Sequence, residues 1–310
     1  MQIVFFCPPV TMINGGIKRV FRMCETLGAA GFDAIVFEEQ GRRPAWFPST
    51  APIAGQGIFN RDAEQIYVLP EDQPNILALF KDWPQRKVID SQNHFFGVLG
   101  IGNANSFADY GASHILCCSK ITFDHAKKRH PSLKAHLIPC GIDTETYKTR
   151  VKQKRILYMP RKRPVEALFI RDMFRFAYPE YRDWEWQEVK DKPEDEVVKM
   201  MGEAGVFLSL GRLEGLGLTP LEAMASGCVV AGFTGVGGRE YATTENGFWA
   251  DEDDLTGCVE QLKKAVDLAS LDNEDETKKA YRSISQRTLK DFTVLGFNAA
   301  TLAVWKEILS

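Results

Sequence analysis

The sequence predicts an α/β protein of two Rossmann-like domains, each a doubly wound parallel sheet, facing one another across a cleft. Three observations predict it. Short apolar runs recur through the 310 residues, and helical periodicities separate them, as in β-α-β units rather than hairpins. The alternation pauses once, in "CGIDTETYKTR", and a second series of similar size then begins. Each series opens on a strand followed by a polar turn, which is where doubly wound sheets bind ligands.

Taken in order, "QIVFF" is a continuous apolar run and reads as a buried strand. "GGIKRVFRMCETLGAAG" reads as a helix after a glycine turn, and "DAIVF" as the next strand. "QIYVL", "KVID", "HILCC" and "AHLIP" extend the first series, giving a first domain over residues 1–145. The second series runs through "RILYM", "DWEWQEV", "GVFLSL" and "CVVAGF" with helices between, giving a second domain over residues 146–291. The last stretch, "FNAATLAVWKEIL", within about residues 292–310, reads as a helix able to pack back on the first domain.

Composition narrows the function. The chain is 45% hydrophobic and 25% charged, ordinary values for a folded protein. A net charge of −3 supplies no global attraction for nucleic acid, so no nucleic-acid partner is expected. "DEDD" (Asp251 to Asp254) and "DNEDE" read as helix-start and surface acids. Seven cysteines without a C-x-x-C pair exclude a disulfide framework and a thiolate zinc site. No metal or other cofactor is expected, and the cysteine usage suits a reducing cytosol. "MQIVFFCPPV" lacks the basic start of a signal peptide, and no apolar run nears the ~20 residues of a membrane span. The expected location is cytoplasmic, with any membrane contact peripheral and on the inner face. Lys127, Lys128, Arg129 and Lys134 in "HAKKRHPSLKAH" are the cations for such a contact, against the plainer reading of a solvated helix end.

Chemistry concentrates in "EGLGLTPLEAMASG", Glu214 to Gly227. Thr219 reads as an N-cap, Pro220 as the first helical residue and Glu222 as the third, a capping box that needs no ligand. Glu214, Gly215 and Gly217 remain unexplained by it. Glycines before a helix start suit a phosphate, because the backbone approaches closely and the helix offers N–H donors. A carboxylate repels phosphate, so Glu214 and Glu222 suit neutral hydroxyls on either side of it. That layout is a nucleotide sugar: ribose, diphosphate, hexose. In the first half, "CPPVTMINGGIKR" offers Gly15 and Gly16 for a left-handed turn and close approach. The G-x-G-x-x-G of a nicotinamide fold is absent, although Glu38 and Glu39 stand at a suitable distance.

At this point a resemblance becomes specific. "EGLGLTPLEAMASGCVVAGFTGVGGREY" resembles the E-x7-E signature of the retaining glycosyltransferases of family 4, which have the GT-B fold. "NGGIKRVFRMCETLGAAGFDAIVF" is similar to the family's first glycine loop and helix, "IPCGIDTETY" to its interdomain "IPNGVD...F" segment, and "ENGFWADEDD" to its "NGxLV...D" stretch.

The resemblance implies donor-sugar contacts for Glu214, ribose contacts for Glu222, and diphosphate binding by Gly217 and the Leu218 and Thr219 N–H groups. Gly15 and Gly16 would close over the diphosphate. In "YMPRKRPVEALF", Arg161 matches the family arginine, while the lysine is displaced to Lys162, with Arg163 a spare candidate. His94 in "VIDSQNHFFG" matches a histidine near the reacting sugar, and Gly211 stands where the family has serine. Catalytic roles thus fall to Glu214, His94 and Arg161. The implied activity is metal-independent glycosyl transfer from a nucleotide diphosphate sugar to a glycan, lipid-linked or small-molecule hydroxyl, as in cell-surface polysaccharide synthesis. The base would lie near "WQEVKDKP". An epimerase of the same fold and a non-catalytic nucleotide-binding subunit are the alternatives.

Overall fold

The computed structural model describes residues 1–310. It divides into two compact units, Met1–Cys140 with Leu295–Ser310, and Gly141–Val294. The first contains β1 (Gln2–Phe6), α1 (Gly15–Ala29), β2 (Ala34–Phe37), β3 (Ile53–Ala54), β4 (Gln65–Pro70), α2 (Pro74–Phe80), β5 (Arg86–Ser91), α3 (Gly97–Ile101), β6 (Ala112–Cys117), α4 (Lys120–Arg129) and β7 (Lys134–Leu137). The second contains β8 (Gln153–Tyr158), α5 (Pro164–Ala177), β9 (Glu185–Glu188), α6 (Glu194–Glu203), β10 (Ala204–Glu214), α7 (Leu218–Ala225), β11 (Val229–Val236), β12 (Phe248–Ala250), α8 (Leu255–Ser270) and α9 (Glu276–Leu289). A last helix, α10 (Val294–Leu309), follows.

Both sheets are parallel. The first runs β3-β2-β1-β4-β5-β6-β7 and the second β12-β11-β10-β8-β9. Each order reverses once, between β1 and β4 in the first sheet and between β8 and β10 in the second, and ligands bind such sheets at the carboxyl ends beside the reversal. The strand β1 shows why its sequence carries no polar alternation. Ile3 and Phe5 join the core beneath α1, while Val4 and Phe6 join the opposite core with Tyr67, Leu77 and Phe80. A strand covered on both faces reads as one apolar run.

Two short edge strands, β3 and β12, lack that signal and are not visible in the sequence pattern. The glycine turn before α1 is also absent as such. Asn14 caps α1 by accepting from the Ile17 N–H at 3.0 Å, so Gly15 and Gly16 are its first helical residues, and neither has positive φ.

The helix α10 belongs to the first unit. Phe297, Thr301, Val304, Trp305 and Ile308 form its buried stripe, at the spacing of one helical face. Trp305 is fully buried and meets Phe5 edge-on, with ring centroids 5.6 Å apart. Nearby, His114 Nδ1 and His136 Nε2 lie 2.9 Å apart, and Glu307 approaches His136 at 3.6 Å.

Two measurements check this packing. Trp305→Ala is expected to lower the unfolding free energy by about 3–5 kcal/mol in urea denaturation; a loss under about 1 kcal/mol would show that α10 is not docked there. Burial, then the neighbouring positive charges, push His114 down to about 4, as burial does for His130. Unfolded histidine titrates near about 6.5, so the unfolded chain takes up protons that the folded one refuses. Stability is therefore expected to be full above about pH 6.5 and to fall towards pH 4. His114→Gln should flatten that slope.

Candidate functional site

In the first domain, the carboxyl ends at the sheet reversal bring together the α1 start, Glu71 and the turn after β5. A side chain at position 16 would put its Cβ 2.0 Å from Gln92 Oε1. Gln92 donates to the Gly16 carbonyl at 3.2 Å and to Asp90 at 2.7 Å, locking the two turns together. Glycine here lets the Gln92 side chain approach this closely, without a left-handed conformation. Glu71, which the sequence pattern did not single out, accepts from the N–H groups of Gln92 and Asn93 at 2.9 and 2.7 Å. Burial, with the Asp90 charge adding to it, raises its carboxyl to about 8. Its place in "LPED", just past β4 at the reversal, was the available signal.

His94 follows in the same turn. Its ring lies against Phe95 at 4.1 Å and His125 at 5.1 Å. Its Nδ1 is buried without a hydrogen-bond partner beside a cavity of about 50 Å³ that His125 and His130 also line. Burial, then the His125 charge, lower its pKa, so the ring is neutral near pH 7. Glu38 accepts from the Gln40 and Arg42 N–H groups at 3.0 and 2.8 Å and so closes its own turn.

In the second domain the reversal between β8 and β10 brings Lys162 to Glu214. Lys162 Nζ lies 2.8 Å from Glu214 Oε1 and donates to the Arg212 carbonyl at 3.2 Å. Leu213, beside Glu214, and Val236, the β11 partner of Glu214, have φ of 50° and 69°. For a β-branched residue that is a strained conformation, of the sort held where surrounding structure fixes it.

The capping box does not form. The helix α7 begins at Leu218, with Gly217 as N-cap at φ 85° and ψ 84°, and no side chain caps it. Thr219 and Pro220 fall at its second and third positions. Gly217 can take the left-handed turn that starts the helix early, and the Tyr241 hydroxyl pins its carbonyl at 2.7 Å. The helix start is left open for an anion, and Glu222 is released from capping. Burial, then the Glu222 and Glu194 charges, raise the pKa of the Tyr147 hydroxyl.

Three adjacent cations have three fates. Arg161 is exposed, Lys162 meets Glu214, and Arg163 is withdrawn into the protein at 1% exposure. Arg163 pairs with Glu252 at 2.8 Å and Asp253 at 2.5 Å, donates to the Gly211 carbonyl at 3.1 Å, and lies 4.2 Å from the Phe233 ring centroid. This corrects its standing as a diphosphate candidate. In "DEDD", Asp254 caps α8 through the Gly257 N–H at 2.9 Å, as the helix-start reading expects, while Glu252 and Asp253 hold Arg163. Glu252 further accepts from Thr234 Oγ1 at 3.0 Å and the Val236 N–H at 3.3 Å, bracing the strained turn.

The basic stretch is dispersed. Lys134 pairs with Glu307, Lys127 lies over Phe123 and Arg129 donates to the Asn105 carbonyl. No helix is long and apolar enough to cross a membrane. A depression of about 480 Å³ lined by Phe248, Lys264 and Tyr281 includes none of the expected site residues.

Two parallel α/β domains, with turns gathered at each sheet reversal, define a fold class: the fold is that of the GT-B glycosyltransferases. Residues 188–287 match the family described as Glycosyl transferases group 1, and this segment spans Glu214 to Glu222. The chain is 26% identical over 226 residues to an alpha-1,6-glucosyltransferase of Actinobacillus pleuropneumoniae, covering 68% of this chain and 67% of that protein. Among solved structures it is similar to Anabaena Alr3699/HepE in complex with UDP and glucose, at TM-score 0.69 and 13% identity over 99% of each chain. It is also similar to a sucrose-phosphate synthase of Thermosynechococcus elongatus, at TM-score 0.67 and 12% identity over 100% of this chain and 99% of the other.

The three cations can be told apart by stability. Arg163→Met, which strands the Glu252 carboxylate, is expected to lower the unfolding free energy by about 3–5 kcal/mol. Arg161→Ala should change it by less than about 0.5 kcal/mol. Equal effects of the two substitutions in urea denaturation would contradict this division.

Proposed function

We propose that the protein is a retaining glycosyltransferase of family 4, moving a sugar from a nucleotide diphosphate sugar to a hydroxyl acceptor. One observation carries the reading: Lys162, Glu214, the uncapped start of α7 and Glu222 stand together at one sheet reversal. Their charges follow the donor's own order. The α7 N–H groups and Lys162, with Arg161 beside it, would hold the diphosphate, Glu214 the sugar hydroxyls and Glu222 the ribose hydroxyls. Gly15, Gly16 and His94 would serve the diphosphate and reacting sugar from the first domain.

In the proposed reaction the bond from the anomeric carbon to the phosphate oxygen breaks. The acceptor oxygen bonds that carbon on the same face, and its proton passes to the departing phosphate. Fixed cations and the helix start stabilise the developing charge, so no metal is needed. Glu214 has no second carboxylate placed for a double displacement, so it is a binding rather than a nucleophilic group. UDP and glucose in the Anabaena structure, and glucosyl transfer by the Actinobacillus relative, support a nucleotide hexose donor. A glycan or lipid-linked acceptor follows from the same resemblance, with peripheral contact at the inner face of a membrane as its setting.

The test is turnover of a panel of UDP, GDP, TDP and ADP sugars with hydroxyl acceptors, the products being followed by NMR. Transfer with the donor's anomeric configuration kept is the expected outcome, falling by about 10²–10³ in Lys162→Ala. An inverted product would overturn retention. Conversion of the donor with no acceptor would indicate an epimerase, and no turnover of any donor a non-catalytic subunit.

A further inference from the structure

The role proposed for His94 requires its ring to keep one place, and the turn that carries it runs only from the end of β5 at Ser91 to the start of α3 at Gly97. Its neighbours grip that turn on several sides. The Gln92 side chain reaches Gly16 and Asp90, and the Cys118 thiol donates to the Gln92 carbonyl at 3.0 Å. Asn93 braces the far end, its side chain accepting from the Phe95 N–H at 3.2 Å and its carbonyl from the Phe96 N–H at 2.9 Å. The ring itself lies against Phe95 and His125 with Nδ1 buried.

The Gln92 and Asn93 N–H groups remain, and one oxygen serves both. Glu71 Oε1 accepts them at 2.9 and 2.7 Å, and two consecutive N–H groups on one acceptor fix the peptide between them in direction as well as place. Glu71 is itself immobile. It is 5% exposed, and a Cβ on Gly100 would lie 1.9 Å from the Glu71 carbonyl oxygen, so α3 presses directly on its backbone. Burying a carboxyl is costly unless it is hydrogen-bonded, and the two bonds at Oε1 go to the residues immediately before His94. We infer that Glu71 is a positioning residue for His94: its Oε1, by gathering the Gln92 and Asn93 N–H groups, sets the place from which the imidazole acts. The reach of that oxygen matters more than its charge. Burial, then the Asp90 charge, raise the Glu71 carboxyl to about 8, so the neutral form is present at pH 7, and its carbonyl oxygen still accepts N–H groups.

This inference rests on the role of His94 proposed above, and the experiment separates the two. The donor and acceptor pair with the highest turnover in the panel of UDP, GDP, TDP and ADP sugars is used at saturation to measure kcat, with circular dichroism reporting the folded fraction. The variants are Glu71→Asp, Glu71→Gln, His94→Ala and the double variant of Glu71→Asp with His94→Ala. Asp keeps the charge and withdraws it by one methylene; Gln keeps the reach and cannot ionise. Glu71→Asp should lower kcat by about tenfold to a hundredfold, the scale of a misplaced reacting group, and Glu71→Gln by less than about threefold. In the His94→Ala background, Glu71→Asp should cost less than about twofold, because the two residues act as a unit. A loss in Glu71→Gln with activity kept in Glu71→Asp would make charge the role and overturn positioning. Full activity in both, or an equal Glu71→Asp loss with and without His94, would overturn it too. If Glu71→Asp does not fold, Glu71→Gln decides: kept activity supports the inference and a loss above about tenfold overturns it. No effect of His94→Ala overturns the role of His94 and this inference with it. No turnover of any donor by the wild type overturns the proposed function itself.

Discussion

The second domain depends on one buried guanidinium. Arg163 reaches from the turn after β8 to the Gly211 carbonyl in β10 and to Glu252 and Asp253 before α8. A cation removed from water is tolerated only when several acceptors surround it. Meeting that requirement draws three separate segments together at the carboxyl end of the sheet. The consequence reaches Glu214, because the same Glu252 that pairs with Arg163 also holds the Val236 N–H, and Val236 is the β11 partner of Glu214. The strained conformation of Val236 is thus held by the Arg163–Glu252 ion pair.

Above that network the arrangement is electrostatic and open. Lys162 leans on Glu214, and α7 begins without a side-chain cap, so a cation, an anion and a helix dipole stand at one sheet reversal. Glycine at 217 makes the uncapped start possible, and the Tyr241 hydroxyl keeps it in place. Burial, followed by the charges of Glu214, Glu222 and Glu240, raises the Tyr241 pKa, so this hydroxyl stays a donor. A neutral phenol, Tyr241, therefore supports the start of that segment. In the first domain Gln92 has a comparable function, joining Gly16 to Asp90 one residue after β5 ends.

Much of this was legible in the sequence, for physical reasons. Strands buried on both faces, such as Gln2–Phe6 and Val229–Val236, announce themselves as apolar runs, and they fixed the expectation of two parallel sheets. The strand pairs Ile53–Ala54 and Phe248–Ala250 were not legible, because two or three residues carry no period. The stretch from Glu214 to Gly227 stood out by residue type. Its helix start was misread because T-P-L-E satisfies capping preferences locally, whereas Gly217 and the distant Tyr241 decide the boundary. Arg163 could not be separated from Arg161 and Lys162 by type, since its fate depends on Glu252 and on Asp253, 90 positions away. Glu71 was missed for the same reason: it acquires its partners only through the fold.

The measurement that bears most directly on the donor site is a thermal-shift comparison of wild type and Glu222→Ala against UDP, GDP, TDP and ADP and their common sugars. A ligand at a hundredfold excess over its dissociation constant adds about 2.7 kcal/mol to apparent stability, which such a screen resolves. A nucleotide diphosphate site at the start of α7 predicts a shift with one base in the wild type that Glu222→Ala abolishes. No shift with any nucleotide, or a shift that survives Glu222→Ala unchanged, would contradict it.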